Sequence, residues 1–293
     1  MSSLKKKTLG ALIILLLIWS FPPVVIKYLD LFFSPMTQNF YRYLTASTFL
    51  LLLSLFLFPK KLKLCIKNVK HFIVPSLFLL LWQTFLVYGV SLSKANTAGF
   101  LSKMTGIFVV LMGWTALPEE RETVKRKSFI VGFVLAFSGA AIIILSKEKL
   151  TFSLGSLLLL IATFCWAMYT IQTKKILQKL QINSLTAMSF VSGCTCFFLF
   201  FLAMLELGKI MEAPLHANLI LSLSGFLLVG VAGVLYYFLL QRIGATITNT
   251  AMLSTSFLTV IFAFVFLGEK MTMQQIVGGC IVVVGCYFVL KQT

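Results

Sequence analysis

Ten apolar windows of about 20 residues run through this chain with little between them: 8–28, 36–58, 71–92, 95–117, 128–146, 154–176, 183–206, 217–240, 245–267 and 272–290. At 1.5 Å rise per residue, a helix of that length crosses the ~30 Å hydrocarbon core of a bilayer. Inside lipid every backbone N–H and C=O must find its partner within the protein, so such windows fold as helices. The expected fold class is an all-α integral membrane protein with ten transmembrane helices. Composition agrees: 59% of the residues are hydrophobic and 11% are charged, against about 25% charged in soluble domains. No hydrophilic stretch is long enough for a separate soluble domain.

The net charge of +17 would suit nucleic acid if it formed a folded basic face. Here it sits in short loops, so no nucleic-acid partner is expected and the charges are read as topology signals. Seventeen basic residues fall on one side: Lys5–Lys7, Lys60, Lys61, Lys63, Lys67, Lys70, Arg121, Lys125, Arg126, Lys127, Lys174, Lys175, Lys179, Arg242 and Lys291. Six fall on the other: Lys27, Lys94, Lys147, Lys149, Lys209 and Lys270. The bias predicts a multi-pass protein of the cell (inner or plasma) membrane with both termini in the cytoplasm. Lys5–Lys7 and the first window also have the outline of a signal peptide, but Pro22-Pro23 follows with no small-residue cleavage site, so a retained helix is expected.

The chain repeats itself. Ile130-Val131-Gly132 with Gly139 in span 5 is matched by Ile276-Val277-Gly278 with Gly285 in span 10. Trp19 and Lys27 are matched by Trp166 and Lys174. Ala95 and Leu117-Pro118-Glu119 bound span 4, as Ala245 and Leu267-Gly268-Glu269 bound span 9. The offsets are 146, 147 and 150. An odd number of spans per repeat turns the second half upside-down, giving two inverted five-helix repeats, a plan shared by secondary transporters with a site near the bilayer midplane. The paired glycines are expected to let helices approach closely.

With Trp19-Ser20 and the Phe40-Tyr41-Arg42-Tyr43 opening of span 2, these segments resemble the drug/metabolite transporter superfamily, specifically its EamA-like branch. The matching stretches are Ala95 to Glu119, Ala245 to Glu269 and the Gly278…Gly285 ending, and order and spacing carry the likeness over nearly the whole chain. The resemblance implies two EamA-like five-helix repeats, 1–148 and 149–293, with a substrate cavity between them and alternating access. It implies a small-molecule substrate drawn from amino acids, drugs, nucleotide-like compounds or other metabolites. The branch often has proline thirteen residues before each span-ending Glu; Gly106 and Ser256 stand there in this chain, so weaker helix breaks are expected in spans 4 and 9.

Lys103 lies nine residues into span 4, roughly 12–14 Å deep, where an unpaired charge is costly. It is read as a cavity lysine for an anionic substrate group, against a lysine that snorkels or ties helices together. Asn96 shares its face, and Asn249 and Ser256 occupy the corresponding face of span 9, as walls of one cavity or as interhelical hydrogen-bonding groups. Trp19, Trp82, Tyr88, Trp166, Tyr169, Tyr236 and Tyr237 are candidate aromatic walls, with interfacial belt positions as the alternative. Arg42, Glu119 and Glu269 are candidate gate or interface charges, with Asp30 and Glu269 as possible partners of Arg42.

No Asp or Glu stands mid-span, so no carboxylate proton relay is visible. Cys65, Cys165, Cys194, Cys196, Cys280 and Cys286 form no CxxC pair, and His71 and His216 lie near span ends, so no metal and no cofactor is called for. No Ser-His-Asp set or phosphate-binding loop appears. An enzyme is therefore not expected. The expectation is a secondary transporter or exchanger of a small polar metabolite, an amino acid or related anionic or zwitterionic compound. The alternative is a passive channel or lipid scramblase.

Overall fold

The computed structural model describes residues 3–93, 95–145, 153–204, 213–267 and 270–291, and these are helical almost throughout. The first half contains α1 (Ser3–Ile18), α2 (Pro22–Leu29), α3 (Pro35–Leu57), α4 (Pro59–Lys67), α5 (Lys70–Ser91), α6 (Ala95–Lys103), α7 (Thr105–Ala116), α8 (Pro118–Lys125) and α9 (Lys127–Leu145). The second contains α10 (Leu154–Leu180), α11 (Ser184–Ala203), α12 (Leu215–Ser224), α13 (Ala232–Arg242), α14 (Ala245–Ala251), α15 (Thr255–Leu267) and α16 (Met273–Leu290). Among the described residues, nine helical runs are long and apolar enough to cross a membrane.

Span 1 is the exception to the expected ten. It divides into α1 and α2 at Trp19–Phe21. Pro22 and Pro23 have no N–H to give to the carbonyls one turn back. The chain tightens instead, with Ser20 N donating to Leu17 O and Phe21 N to Ile18 O. Spans 4 and 9 are interrupted as well, at Met104 and at Met252–Ser254. These are slight departures, with right-handed helical dihedrals kept at Met104 and Met252, in keeping with the weaker breaks expected from the missing prolines. Thr105 Oγ1 bonds Ser102 O at 2.8 Å, and Thr255 Oγ1 bonds Met252 O at 2.8 Å. Hydroxyls that re-satisfy freed carbonyls make a broken helix tolerable in lipid. Span 8 carries a π-helical stretch, Gly225–Val231, between α12 and α13.

The packing is symmetric under exchange of the halves. α3 lies against α11, α9 against α16 and α7 against α14, each pair joining repeat-equivalent spans. α1 against α13 (spans 1 and 8) becomes α10 against α5 (spans 6 and 3) when the halves are swapped. The α9–α16 contact shows the sense of the repeat. A Cβ on Gly132 would stand 2.7 Å from Gly285 O, and one on Gly139 2.6 Å from Gly278 O. The first glycine of one helix meets the second of the other, so the two equivalent helices run antiparallel. Small residues permit this backbone approach.

Candidate functional site: a cavity between the halves

The two interruptions in spans 4 and 9 meet. A Cβ on Gly106 would lie 3.8 Å from Leu253 Cδ2. Lys103 Nζ, at the end of α6, donates to Thr255 Oγ1 at 3.0 Å. Because the Thr255 hydroxyl spends its proton on Met252 O, its lone pairs face the lysine. This crossing forms one wall of a cavity of about 330 Å³, the size range of small-molecule sites.

Trp19, Trp82 and Trp166 supply the aromatic wall. Trp166 lies edge-on to Trp19 with centroids 5.8 Å apart, and 4.4 Å from Trp82. Two of the indoles are fixed by their N–H groups. Trp19 Nε1 donates to Leu228 O at 3.0 Å, a carbonyl in the π-helical stretch. Trp166 Nε1 donates to Asn249 Oδ1 at 3.1 Å. Such fixed rings present a preformed surface rather than one assembled on binding.

Arg42 lines the cavity from α3 and is 7% exposed. Its backbone is held by span 8: a Cβ on Gly225 would stand 2.6 Å from Arg42 O. Arg42 Nε has no hydrogen-bond partner among the described residues. Asp30, expected as its partner, accepts instead from Gln38 Nε2 at 2.6 Å.

Beneath the cavity, on the side of α8 and the C-terminal end of α16, the bundle is closed. Tyr169 Oη donates to Tyr237 Oη at 3.0 Å, Thr170 and Tyr236 share a bond of 2.7 Å, and Asn249 Nδ2 donates to Tyr236 Oη at 3.0 Å. A buried charge cluster lies below these tyrosines. Glu120, 2% exposed, pairs with Lys174. It also accepts from Ala245 N at 2.7 Å and Thr246 Oγ1 at 2.5 Å, at the start of α14. Carboxylates are favoured at a helix N-terminus, where N–H groups lack partners. Gly244 precedes that helix with φ +91°, and a Cβ there would stand 2.6 Å from Glu120 Oε1. Only glycine both adopts that backbone and leaves room for the carboxylate.

The sequence candidates fall in several places. Lys103, Arg42, Trp19, Trp82, Trp166, Tyr169 and Asn249 line the cavity. Tyr236 and Tyr237 are fully buried one layer behind it. Ser256 is buried off the cavity with its hydroxyl unpartnered among the described residues, while Thr255, one residue or 100° earlier, faces it. Tyr88 does not line the cavity: it is 51% exposed on α5, whose neighbouring Gly89 takes the contact with Leu159 of α10. The Asn96 side chain and Glu269 lie outside the described residues. Glu119 is half-exposed, bonded by Gln178 Nε2 at 2.5 Å and 3.6 Å from Lys174 Nζ. Burial raises its carboxyl, but the Gln178 amide, the backbone and the Lys174 ammonium outweigh that and hold it below the ordinary carboxylate range. The buried carboxylate of this cluster is Glu120, which the reading of the sequence passed over. One signal marks it: in α8 it shares an i, i+3, i+7 face with Leu117 and Val124.

The model of the EamA-like transporter family matches residues 6–145 and again 153–291. A protein of Archaeoglobus fulgidus named "Uncharacterized transporter" is 29% identical over 97% of both chains. A Haemophilus influenzae protein of the same designation is 20% identical over 95% of both. "Uncharacterized transporter YoaV" of Bacillus subtilis is 25% identical over 81% of both. A solved crystal structure superposes with a TM-score of 0.80 over 97% of this chain and 96% of its own, at 14% identity, which speaks to fold alone.

Proposed function

Because this chain belongs to the EamA-like transporter family, we propose that it is a secondary transporter or exchanger moving a small polar metabolite by alternating access. The family makes it a membrane transporter; the finer reading rests on the cavity. The observation that carries it is Lys103, a cation whose described hydrogen-bond partner is one neutral hydroxyl. An ammonium so placed draws an anionic group, and a transporter's substrate brings one on every cycle, as an amino acid or a related anionic compound would. The cavity lies between halves that pack symmetrically, so rocking one against the other would exchange the closed side. In the conformation described here the α8 side is closed by the tyrosine layer and the Glu120–Lys174 cluster. The charge bias favours placing that side in the cytoplasm.

Two steps test the reading. A thermal-shift screen of purified protein against metabolite pools identifies a ligand, since one that binds the folded state raises its apparent stability. Counterflow of that ligand, radiolabelled, in proteoliposomes should then be saturable and stimulated by unlabelled ligand on the far side. Linear, non-saturable flux would mark a passive channel, and lipid flipping without solute flux would mark a scramblase.

A further inference from the structure

Two cations face one cavity from two different spans of the first half. Lys103 comes from the break in span 4 and Arg42 from α3. Arg42 is more than nine-tenths buried, its Nε has no partner among the described residues, and its backbone is clamped against Gly225. A guanidinium held this way is not snorkelling, since the clamp fixes its Cα and the side chain is enclosed. Among the described residues no carboxylate lies within ion-pairing distance of either cation, and no acidic residue lines the cavity. The described acids are committed elsewhere: Asp30 to Gln38, Glu119 and Glu120 to Lys174, and Glu122 to Lys125.

We propose that the cavity takes an organic dianion, one anionic group on Lys103 and the other on Arg42, with its apolar or aromatic middle against the Trp19, Trp82 and Trp166 rings. This deepens the transporter reading above and rests on it. Two like charges in one partly dehydrated space repel each other, and two negative charges on one ligand neutralise both. Lysine suits a compact contact, whereas the planar guanidinium takes a carboxylate bidentately. The wall offers an ammonium group ring faces and hydroxyls but no described carboxylate. This narrows the broader reading to its anionic compounds, since an α-amino acid would place its own cation in a field already positive. A cavity of about 330 Å³, at the lower end of the volumes of small-molecule sites, has room for such a molecule.

The test is equilibrium binding to detergent-purified protein. The dianions are succinate, glutarate, adipate and isophthalate; the comparisons are butyrate, valerate and benzoate as monoanions and norvaline as a zwitterion. The best dianion should bind about tenfold or more tighter than the best comparison ligand, the value of a second charge-assisted hydrogen bond. Arg42→Gln and Lys103→Met should each bring the dianion down to monoanion affinity, and the double variant should bind it more weakly than either single variant. Arg42→Lys should recover part of the loss, and the melting temperature and monodispersity of each purified variant report whether its site is folded. The proposal is overturned if no dianion binds, if a monoanion or norvaline binds as tightly as the best dianion, or if Arg42→Gln leaves dianion affinity unchanged. The wild-type series decides even if a variant fails to fold. Counterflow separates the two readings: a dianion that binds without counterflow removes the transporter reading, and counterflow of another solute without dianion binding removes only this inference.

Discussion

Lys103 has one described hydrogen-bonding partner, and that partner is spoken for: Thr255 gives its own proton to Met252 O. Lys103→Met keeps most of the length and removes the charge. It should weaken ligand binding by about 1.5–3 kcal/mol, the range of a charge-assisted hydrogen bond, without lowering the melting temperature. Thr255→Val should weaken binding less, by about 0.5–1.5 kcal/mol, because the ammonium stays but loses its tether. Affinity and melting temperature measured on the same purified sample decide the matter. Unchanged affinity with a shifted melting point would make Lys103 a tie between helices. Lys103 was legible in the sequence because a charge deep in an apolar run has few explanations. Which aromatic faces inward was not legible. In a soluble protein a polar face marks the outside of a helix, but lipid is as apolar as the protein interior. Tyr88, at 51% exposure, and Tyr169, at 2%, therefore stand in equally apolar sequence.

Elements are positioned here by close approach and by charge. Hydropathy located nine of the spans because apolar length is all a crossing needs. It did not locate the interruption of span 1, although Pro22-Pro23 supplied the chemistry, nor the π-helical stretch, although Ser224-Gly225 and Gly230 stand there. The glycine pairs were legible as a repeat, and their use at the α9–α16 crossing follows from the 2.6 and 2.7 Å approaches. Gly139→Leu and Gly285→Leu should each reduce the yield of folded, monodisperse protein, since a side chain there must push two backbones apart. Wild-type yield and melting temperature in both variants would remove the close-packing argument. The Glu120 cluster sits where α8, α10 and α14 meet. Breaking a buried pair by deleting one partner costs about 3–5 kcal/mol, but a transporter has an escape, since opening that side wets the orphaned Lys174. Glu120→Ala should therefore favour opening over unfolding. Thr173, buried beside Lys174, reports on it: a cysteine at 173, with the six native cysteines replaced, should react faster with a polar maleimide in the Glu120→Ala protein. An unchanged labelling rate with a lowered melting point would make the cluster a purely structural staple.

At the scale of the whole molecule, orientation is the property that packing cannot decide. Exchange of the two halves maps α9–α16 onto itself and α1–α13 onto the far more extensive α10–α5 contact, so the same pairs of elements meet whichever face of the membrane is which. What breaks the symmetry is charge. The reading of the sequence assigns seventeen basic residues to the α8 side and six to the other, and the two short helices that carry many of the seventeen, α4 and α8, both open with proline and lie between spans. Lysine and arginine near span ends are retained in the cytoplasm during insertion, whereas acidic residues contribute little. Glu119, Glu120 and Glu122 on α8 should therefore not offset Arg121 and Lys125. Exposed positions allow a direct test in a cysteine-free background. Lys63→Cys and Lys125→Cys should resist a membrane-impermeant thiol reagent in intact cells and label once the cells are permeabilised. Lys270→Cys, exposed beyond span 9, should label in intact cells. Labelling of position 63 from outside would reverse the orientation and place the Glu120–Lys174 closure at the outer face. It would leave the fold and the cavity as described, because neither depends on which face is cytoplasmic, and would overturn the positive-inside reading alone. Mixed labelling of both sides would mean that a bias of seventeen to six does not fix insertion in a bundle this symmetric, and the two orientations would coexist in one membrane.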